Sequence, residues 1–238
     1  MKRYLPLIII VGVLAVALGA GMTLWRSSKQ DTSNAQTFTQ QPTPVTSQTT
    51  APNQIPVSQP GQGPVAAMHE RGGPTAKVMV EEYGDYQCPP CGMLFHDLKT
   101  IEKEYGTQIR FVFRHFPLQG HKHAVTAAHA AEAAGLQDRF WEMHDMIYQN
   151  QLSWSPADDA RPVFVQYARD LKLDVDRFNR DMDSPVVAQR VASDYQRGLT
   201  VGVNGTPTIF INGRQMNPNA TTLDGMRGAL DFMLGKKK

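Results

Sequence analysis

Residues 80–91 read Val80-Glu81-Glu82-Tyr83-Gly84-Asp85-Tyr86-Gln87-Cys88-Pro89-Pro90-Cys91. The segment Lys77 to Tyr83 is short, rich in valine and bounded by Gly73-Pro74 and Gly84, which predicts a strand. Pro89 to about Tyr105 predicts a helix, because Met93, Leu94, Leu98 and Ile101 recur at helical spacing. Prolines are tolerated in its first turn, where N–H groups have no intrahelical acceptor. Cys88 therefore stands where a strand gives way to a helix N-terminus, and there the dipole and free N–H groups favour a thiolate. Cys91, one turn on, can reach back and close a disulfide. An attacking thiol beside a resolving thiol is what reversible thiol–disulfide exchange requires. Other readings of the pair are weaker. A c-type haem needs histidine where Gly92 stands. A structural disulfide at this spacing closes almost no loop and stabilises little. Two cysteines cannot form a four-cysteine zinc site, although Cu(I) accepts two thiolates.

Outward from this stretch, Gln108 to Phe116 alternates apolar and polar residues as a half-buried strand does. Residues 121–199 are helical in pattern, with segments at Ala124–Ala134, Phe140–Tyr148, Pro162–Leu171, Val175–Met182 and Pro185–Leu199. Phe140, Trp141, Tyr148 and Trp154 are expected in the core of this block. Thr208 to Ile211 is a strand, Asn212-Gly213 a type I′ turn signal, and Arg214 to Met216 its short partner. Thr221 is expected to open a last helix with Asp224 in the capping-box position. Leu223, Met226, Leu230 and Met233 are expected to form its buried stripe. Strand–helix–strand, a helical block, then strand–hairpin–helix defines an α/β fold: one sheet with helices on its faces and a helical insertion over about 119–199.

The N-terminal part is different material. Lys2 and Arg3 precede Leu5–Trp25, 21 residues without a charge. As a helix this run is long enough to cross a bilayer, and it extends past the Ala15-Val16-Ala17 cleavage-like triplet of a rival signal-peptide reading. Residues 1–26 are therefore expected to be a transmembrane anchor or signal, with a cytoplasmic N-terminus. Of the 40 residues 27–66, 26 are Gln, Thr, Ser or Pro, which predicts a tether rather than a folded unit. Residues 67–238 form the domain. Of the net charge of +2, the first 66 residues contribute +3 and the domain −1. The domain therefore has no electrostatic draw towards nucleic acid.

The 80–91 stretch resembles the active-site segment of the thioredoxin superfamily, in its DsbA-like branch. A second segment, Gly205-Thr206-Pro207-Thr208-Ile209-Phe210, is similar to the family's cis-proline loop, and the helical insertion fits the same branch. The resemblance implies a thioredoxin fold with an inserted helical domain and thiol–disulfide exchange outside the cytoplasm. It makes Cys88 the nucleophile, Cys91 the resolving thiol and Pro207 the cis-proline. Thr206 would point a hydroxyl at the sulfurs, with Gly205 beside it, and Pro89 and Pro90 would tune the pair. Glu82 takes the position of the family's buried acid. Glu81 is its competitor, because adjacent strand residues face opposite sides. The family's strongest oxidases carry histidine before the second cysteine. Pro90 offers neither cation nor N–H, so the Cys88 pKa is expected below the free ~8.5 but depressed less than the ~3.5 of DsbA. Metal sites at His121, His123 and His129 are set below solvated or capping roles. His96 is assigned to packing or surface. Asp85 and Tyr86 are placed along a substrate groove.

The resemblance implies no bound cofactor beyond the Cys88–Cys91 disulfide. It implies protein substrates and a membrane redox partner, either a quinone-linked oxidase or an electron-donating transporter. A single-pass protein of the bacterial inner membrane is expected, monomeric, with its catalytic domain in the periplasm or other extracytoplasmic space. The direction expected is oxidative. A reductase, a copper-handling thiol protein and a peptide-binding chaperone stand as alternatives.

Overall fold

The computed structural model describes residues 69–236. The expected anchor and the whole of the tether lie outside these residues. Among the described residues, no helix is long and apolar enough to cross a membrane.

A five-stranded sheet organises the domain. Its strands are β1 (His69–Gly72), β2 (Val78–Gly84), β3 (Ile109–His115), β4 (Thr208–Ile211) and β5 (Arg214–Gln215), in the order β1-β3-β2-β4-β5. β2 and β3 run parallel, joined by helix α1 (Pro89–Tyr105), and the other pairings are antiparallel. The β4–β5 turn has Asn212 at φ 48° and Gly213 at φ 75°, both left-handed, as a type I′ hairpin requires.

Between β3 and β4 the chain forms six helices: α2 (Ala124–Gly135), α3 (Phe140–Gln149), α4 (Gln151–Trp154), α5 (Arg161–Asp170), α6 (Val175–Met182) and α7 (Pro185–Thr200). α8 (Leu223–Met233) closes the fold. Asp174 and Ser184 cap α6 and α7 by accepting from the backbone N–H three residues on.

The pleat sorts β2 onto two faces. Val78 and Val80 join Phe111, Phe113, Ile209 and Ile211 in one core that continues through α1 and the alanines of α2 to Trp154, Phe164 and Phe178. Tyr83, on the opposite face, packs with Phe116, Val203 and Phe210, and α7 comes close enough there that a Cβ on Gly198 would press into Phe116.

Several sequence expectations need correction. Thr222, not Thr221, caps α8: its Oγ1 accepts from Gly225 N, while the Thr221 hydroxyl donates to Asn217 O. Asp224 then falls one position short of the capping-box site. Met233, expected in the buried stripe, is 38% exposed at the last residue of the helix. Met93 is 68% exposed and lies beside the cysteines rather than in the core. β1 and α4 were not expected.

Candidate active site

Cys88 is the N-cap residue of α1, with extended backbone (φ −71°, ψ 118°) and Pro89 and Pro90 in the first turn. Both prolines are exposed, so they shape the helix start without covering the sulfur. Cys88 and Cys91 are free thiols, 4% and 0% exposed. The Thr206–Pro207 bond is cis, and Cys88 Sγ lies 3.3 Å from Thr206 O, to which only its thiol form donates. Gly205 O accepts from the Thr208 hydroxyl at 2.7 Å, which fixes the turn before β4. Residues more than a hundred positions apart thus meet at one sulfur.

The two thiols are driven in opposite directions. The Cys88 pKa is lowered to about 6, chiefly by the hydrogen bond from the Cys91 side chain. Burial opposes this shift, and the Thr206 side chain and the Cys91 backbone support it. By geometry the Thr206 hydroxyl has no hydrogen-bond partner among the described residues. Cys91 is pushed up, first by burial, then by its bond to Cys88 and by the nearby Glu82. The pair therefore holds one proton, on Cys91, and presents a Cys88 thiolate at neutral pH.

Glu82 is 2% exposed, and burial raises its carboxyl to about 8. It pairs with Phe113 and Ile209 across the sheet, on the face that α1 covers. Glu81 is also buried but faces α7, in an ion pair with Arg114 at 2.9 Å; Arg114 in turn binds Asp194 at 2.9 Å. Strand alternation thus separates a partnered acid from an unpartnered one, and Glu82 is the one near the cysteines.

The loop between β2 and α1 is held from the helical insertion. Asp85 Oδ1 accepts from Gln87 N, and its Oδ2 accepts from Leu118 N and lies 2.6 Å from His121 Nδ1. Gln87 donates to Ser155 O and accepts from His123 N. Gln151 Nε2 donates to Tyr86 O at 2.7 Å and to Cys88 O at 2.8 Å. Asp85 and Tyr86 are 2% and 1% exposed, so neither lines a groove: the first is a loop anchor, the second core. The three histidines are each bonded to the protein, with the His121 side chain still 27% exposed. His121 meets Asp85, while His123 and His129 meet the carbonyls of Ala157 and Met182. Nothing in sequence marks Gln151, because its partners lie some sixty positions away.

Two grooves flank the sulfur. One, of about 380 Å³, runs between Pro89, Met93 and His96 on α1 and Tyr148–Ser153. The other, of about 400 Å³, runs between Pro90, Met93 and Asp97 and the Thr206-Pro207 loop. Met93 borders both. Away from the site, His69 and His115 both reach Glu132 Oε1, at 2.6 and 3.0 Å, and Arg190 meets Oε2 at 3.2 Å. This carboxylate is satisfied by its donors and ties β1, β3, α2 and α7 together.

Comparison with known proteins agrees with this geometry. A family model described as Thioredoxin matches residues 65–231, and the chain belongs to that family. BdbD from Bacillus subtilis superposes with a TM-score of 0.64 at 23% identity, covering 71% of this chain and 93% of the other. The α-DsbA2 of Wolbachia pipientis gives 0.60 at 21% identity, covering 69% and 86%. A thioredoxin-like oxidoreductase from Silicibacter pomeroyi gives 0.56 at 25% identity, covering 68% and 91%. Family and fold define a thioredoxin-fold protein of DsbA-like architecture, with a cysteine pair at the start of its first helix. By sequence, the chain is 43% identical over 148 residues to a protein named Na(+)/H(+) antiporter NhaA 1 from Salinispora arenicola, a match covering 62% of this chain. A protein of the same name from Mycolicibacterium gilvum is 37% identical over 152 residues. The chain spans less than a quarter of the length of these relatives, 22% and 24%.

Proposed function

We propose that the chain is a membrane-tethered, extracytoplasmic oxidoreductase that donates its Cys88–Cys91 disulfide to protein substrates. A substrate thiolate attacks Cys88 Sγ, the intramolecular S–S bond breaks, and Cys91 leaves with the electron pair and takes a proton from Glu82. A second substrate thiolate then attacks the substrate sulfur of the mixed disulfide and displaces Cys88. The observation that carries the oxidative direction is the opposed ionisation of the pair, Cys88 down to about 6 and Cys91 up. A stabilised Cys88 thiolate is a good leaving group and favours the reduced protein over the oxidised one. The grooves beside Met93 and Pro207 suit an extended substrate segment.

The dithiol is its own redox group, so the cycle needs no bound cofactor. It does need a membrane partner to reoxidise the pair, a quinone-linked oxidase in the oxidative reading or an electron-donating transporter in the reductive one. The uncharged run Leu5–Trp25 supports the membrane setting. So does the recurrence of the domain as a minor part of proteins named as antiporters.

Equilibration of the full chain in detergent with glutathione buffers measures the potential. A value between about −120 and −180 mV is expected of a disulfide donor, whereas about −270 mV makes the protein a reductant.

A further inference from the structure

Glu82 has to exchange its proton with water at every turnover, yet it is 2% exposed. Its Oε1 has no hydrogen-bond partner among the described residues, and the same holds for Tyr86 Oη, Tyr148 Oη and His144 Nε2. Four orphaned polar atoms in one protein's core are costly, at about 1–3 kcal/mol each, unless they serve one another or a shared water.

They are neighbours. The rings of Tyr86 and Tyr148 lie 4.8 Å apart, and the His144 ring lies 5.6 Å from Tyr86 and 5.1 Å from Tyr148. Gly84 separates Tyr148 from Glu82. A Cβ built on Gly84 would lie 2.8 Å from Tyr148 Oη and 3.1 Å from Glu82 Oε1, so both oxygens face the bare α-carbon of this glycine. Phe113 Cε2, 2.6 Å from the same point, closes the third side against apolar surroundings. A side chain at position 84 would block this approach; without one the two oxygens stand no more than 5.9 Å apart, within the span of one bridging water.

The cluster also has an outlet. His144 Nδ1 lies 3.0 Å from Asp145 Oδ1, and Asp145 Oδ2 accepts from Lys99 Nζ at 2.7 Å. The Lys99 side chain is 38% exposed. Burial lowers His144 to about 4, so its imidazole is neutral at physiological pH. With Nδ1–H donated to Asp145, Nε2 keeps an open lone pair towards the tyrosines.

We propose that Tyr148 and His144 form the route by which Glu82 exchanges its proton with the surface at Asp145 and Lys99. This rests on the oxidoreductase reading and deepens it. When a Cys88 mixed disulfide is resolved, the Cys91 S–H proton passes to the Glu82 carboxylate. The Cys91–Cys88 bond forms, the Cys88–substrate bond breaks, and the electron pair leaves with the substrate thiolate. The proton then moves from Glu82 by way of Tyr148 Oη and the His144 ring to solvent. In the oxidative direction each transfer reverses.

The test is single-turnover resolution of the Cys88–glutathione mixed disulfide in the full chain, with Tyr148→Phe, Glu82→Gln and the double variant. Tyr148→Phe keeps the ring packing and removes only the hydroxyl. It is expected to slow resolution by about tenfold or more, within the range of general acid–base effects, while leaving the glutathione equilibrium potential unchanged. The double variant is expected to be no slower than Glu82→Gln alone, because Tyr148 acts through Glu82. An unchanged rate in Tyr148→Phe, or a double variant slower by the product of the two single effects, overturns the route. Infrared difference spectra give a readout independent of rate: the C=O stretch of protonated Glu82 is expected to shift upward in Tyr148→Phe as a hydrogen bond is lost, and an unshifted band also overturns it. Failure of the wild-type pair to exchange with glutathione at all would instead remove the oxidoreductase reading itself.

Discussion

Cys88 gains its thiolate from hydrogen bonds: the Cys91 S–H leads, with Thr206 and the Cys91 backbone behind it. Thiolate absorbance is therefore expected to titrate near pH 6 in the wild type. In Cys91→Ala it should move up by one unit or more, towards the free value of ~8.5. A midpoint unmoved in that variant would show that the helix N-terminus alone sets it. Glu82 allows a second prediction. Its folded pKa, about 8, is raised above that of the unfolded carboxyl, so the stability it contributes is full below the unfolded value and is lost as pH rises through 8. Glu82→Gln removes that loss. The variant is expected to gain on the order of 3 kcal/mol or more over wild type at pH 9, and little at pH 4, in denaturant titrations. A gain equal at both pH values would rule out burial of the ionised carboxylate as the cause. The cysteines stood out in sequence because the chain has only two, three apart before a helix, and Pro207 stood out only through the resemblance of its loop. Glu82 could be chosen over Glu81 only by position and alternation, and its lack of a partner became visible only in three dimensions. Asp85, whose carboxylate anchors the loop, reads in sequence like any loop aspartate.

The elements were legible where one force dominated. α1 follows from periodicity, α2 from its alanine run, α6 and α7 from helical spacing between breakers, and the hairpin follows from Asn212-Gly213. β1 was missed because its four residues, His69–Gly72, carry no apolar alternation; pairing with β3 alone makes them a strand. α4, a single turn over Gln151–Trp154, is too short to show a period. That turn nevertheless supplies Gln151, which holds the carbonyls of Tyr86 and Cys88, and Trp154, which is fully buried. A Cβ on Gly92 would collide with Gln151 Oε1, so Gly92 is what lets the insertion reach the N-terminal turn of α1. Gly92→Ala is expected to displace Gln151, cost about 1–3 kcal/mol in denaturant titrations and broaden the thiolate titration, as the turn carrying Cys88 loses its tie. Preserved stability with an unaltered titration would make the clamp incidental. Trp154→Ala is expected to cost about 3–5 kcal/mol by leaving a cavity between α4 and Phe164.

At the scale of the whole molecule, sheet and insertion share one core, from Val80 and Phe111 to Phe164 and Phe178, and the active-site segment meets the insertion at Ser155 and Gln151 and the loop before β4 at Thr206. The sequence pattern could separate these halves on paper, but a boundary without a shared core would have left the loop tied to only one of them. Because the halves pack continuously, a change in the energy of one sulfur is felt by the entire fold. The reduced protein carries the Cys88 thiolate and the oxidised protein does not. Glu82 is buried in both, so to first order its cost cancels between them. The Cys88 pKa is depressed in the folded state to about 6, so its contribution is present above the unfolded value of ~8.5 and is lost as pH falls through 6. The disulfide offers little in return, because a three-residue spacing constrains the unfolded chain weakly. The reduced protein is therefore expected to melt at a higher temperature than the oxidised protein at pH 8, in one cooperative transition by both near- and far-ultraviolet circular dichroism. The gap should narrow towards pH 5. An oxidised form that melts higher at pH 8 would mean that the folded protein favours the disulfide. That sign would reverse the direction of electron flow, with the protein drawing its electrons from a membrane donor.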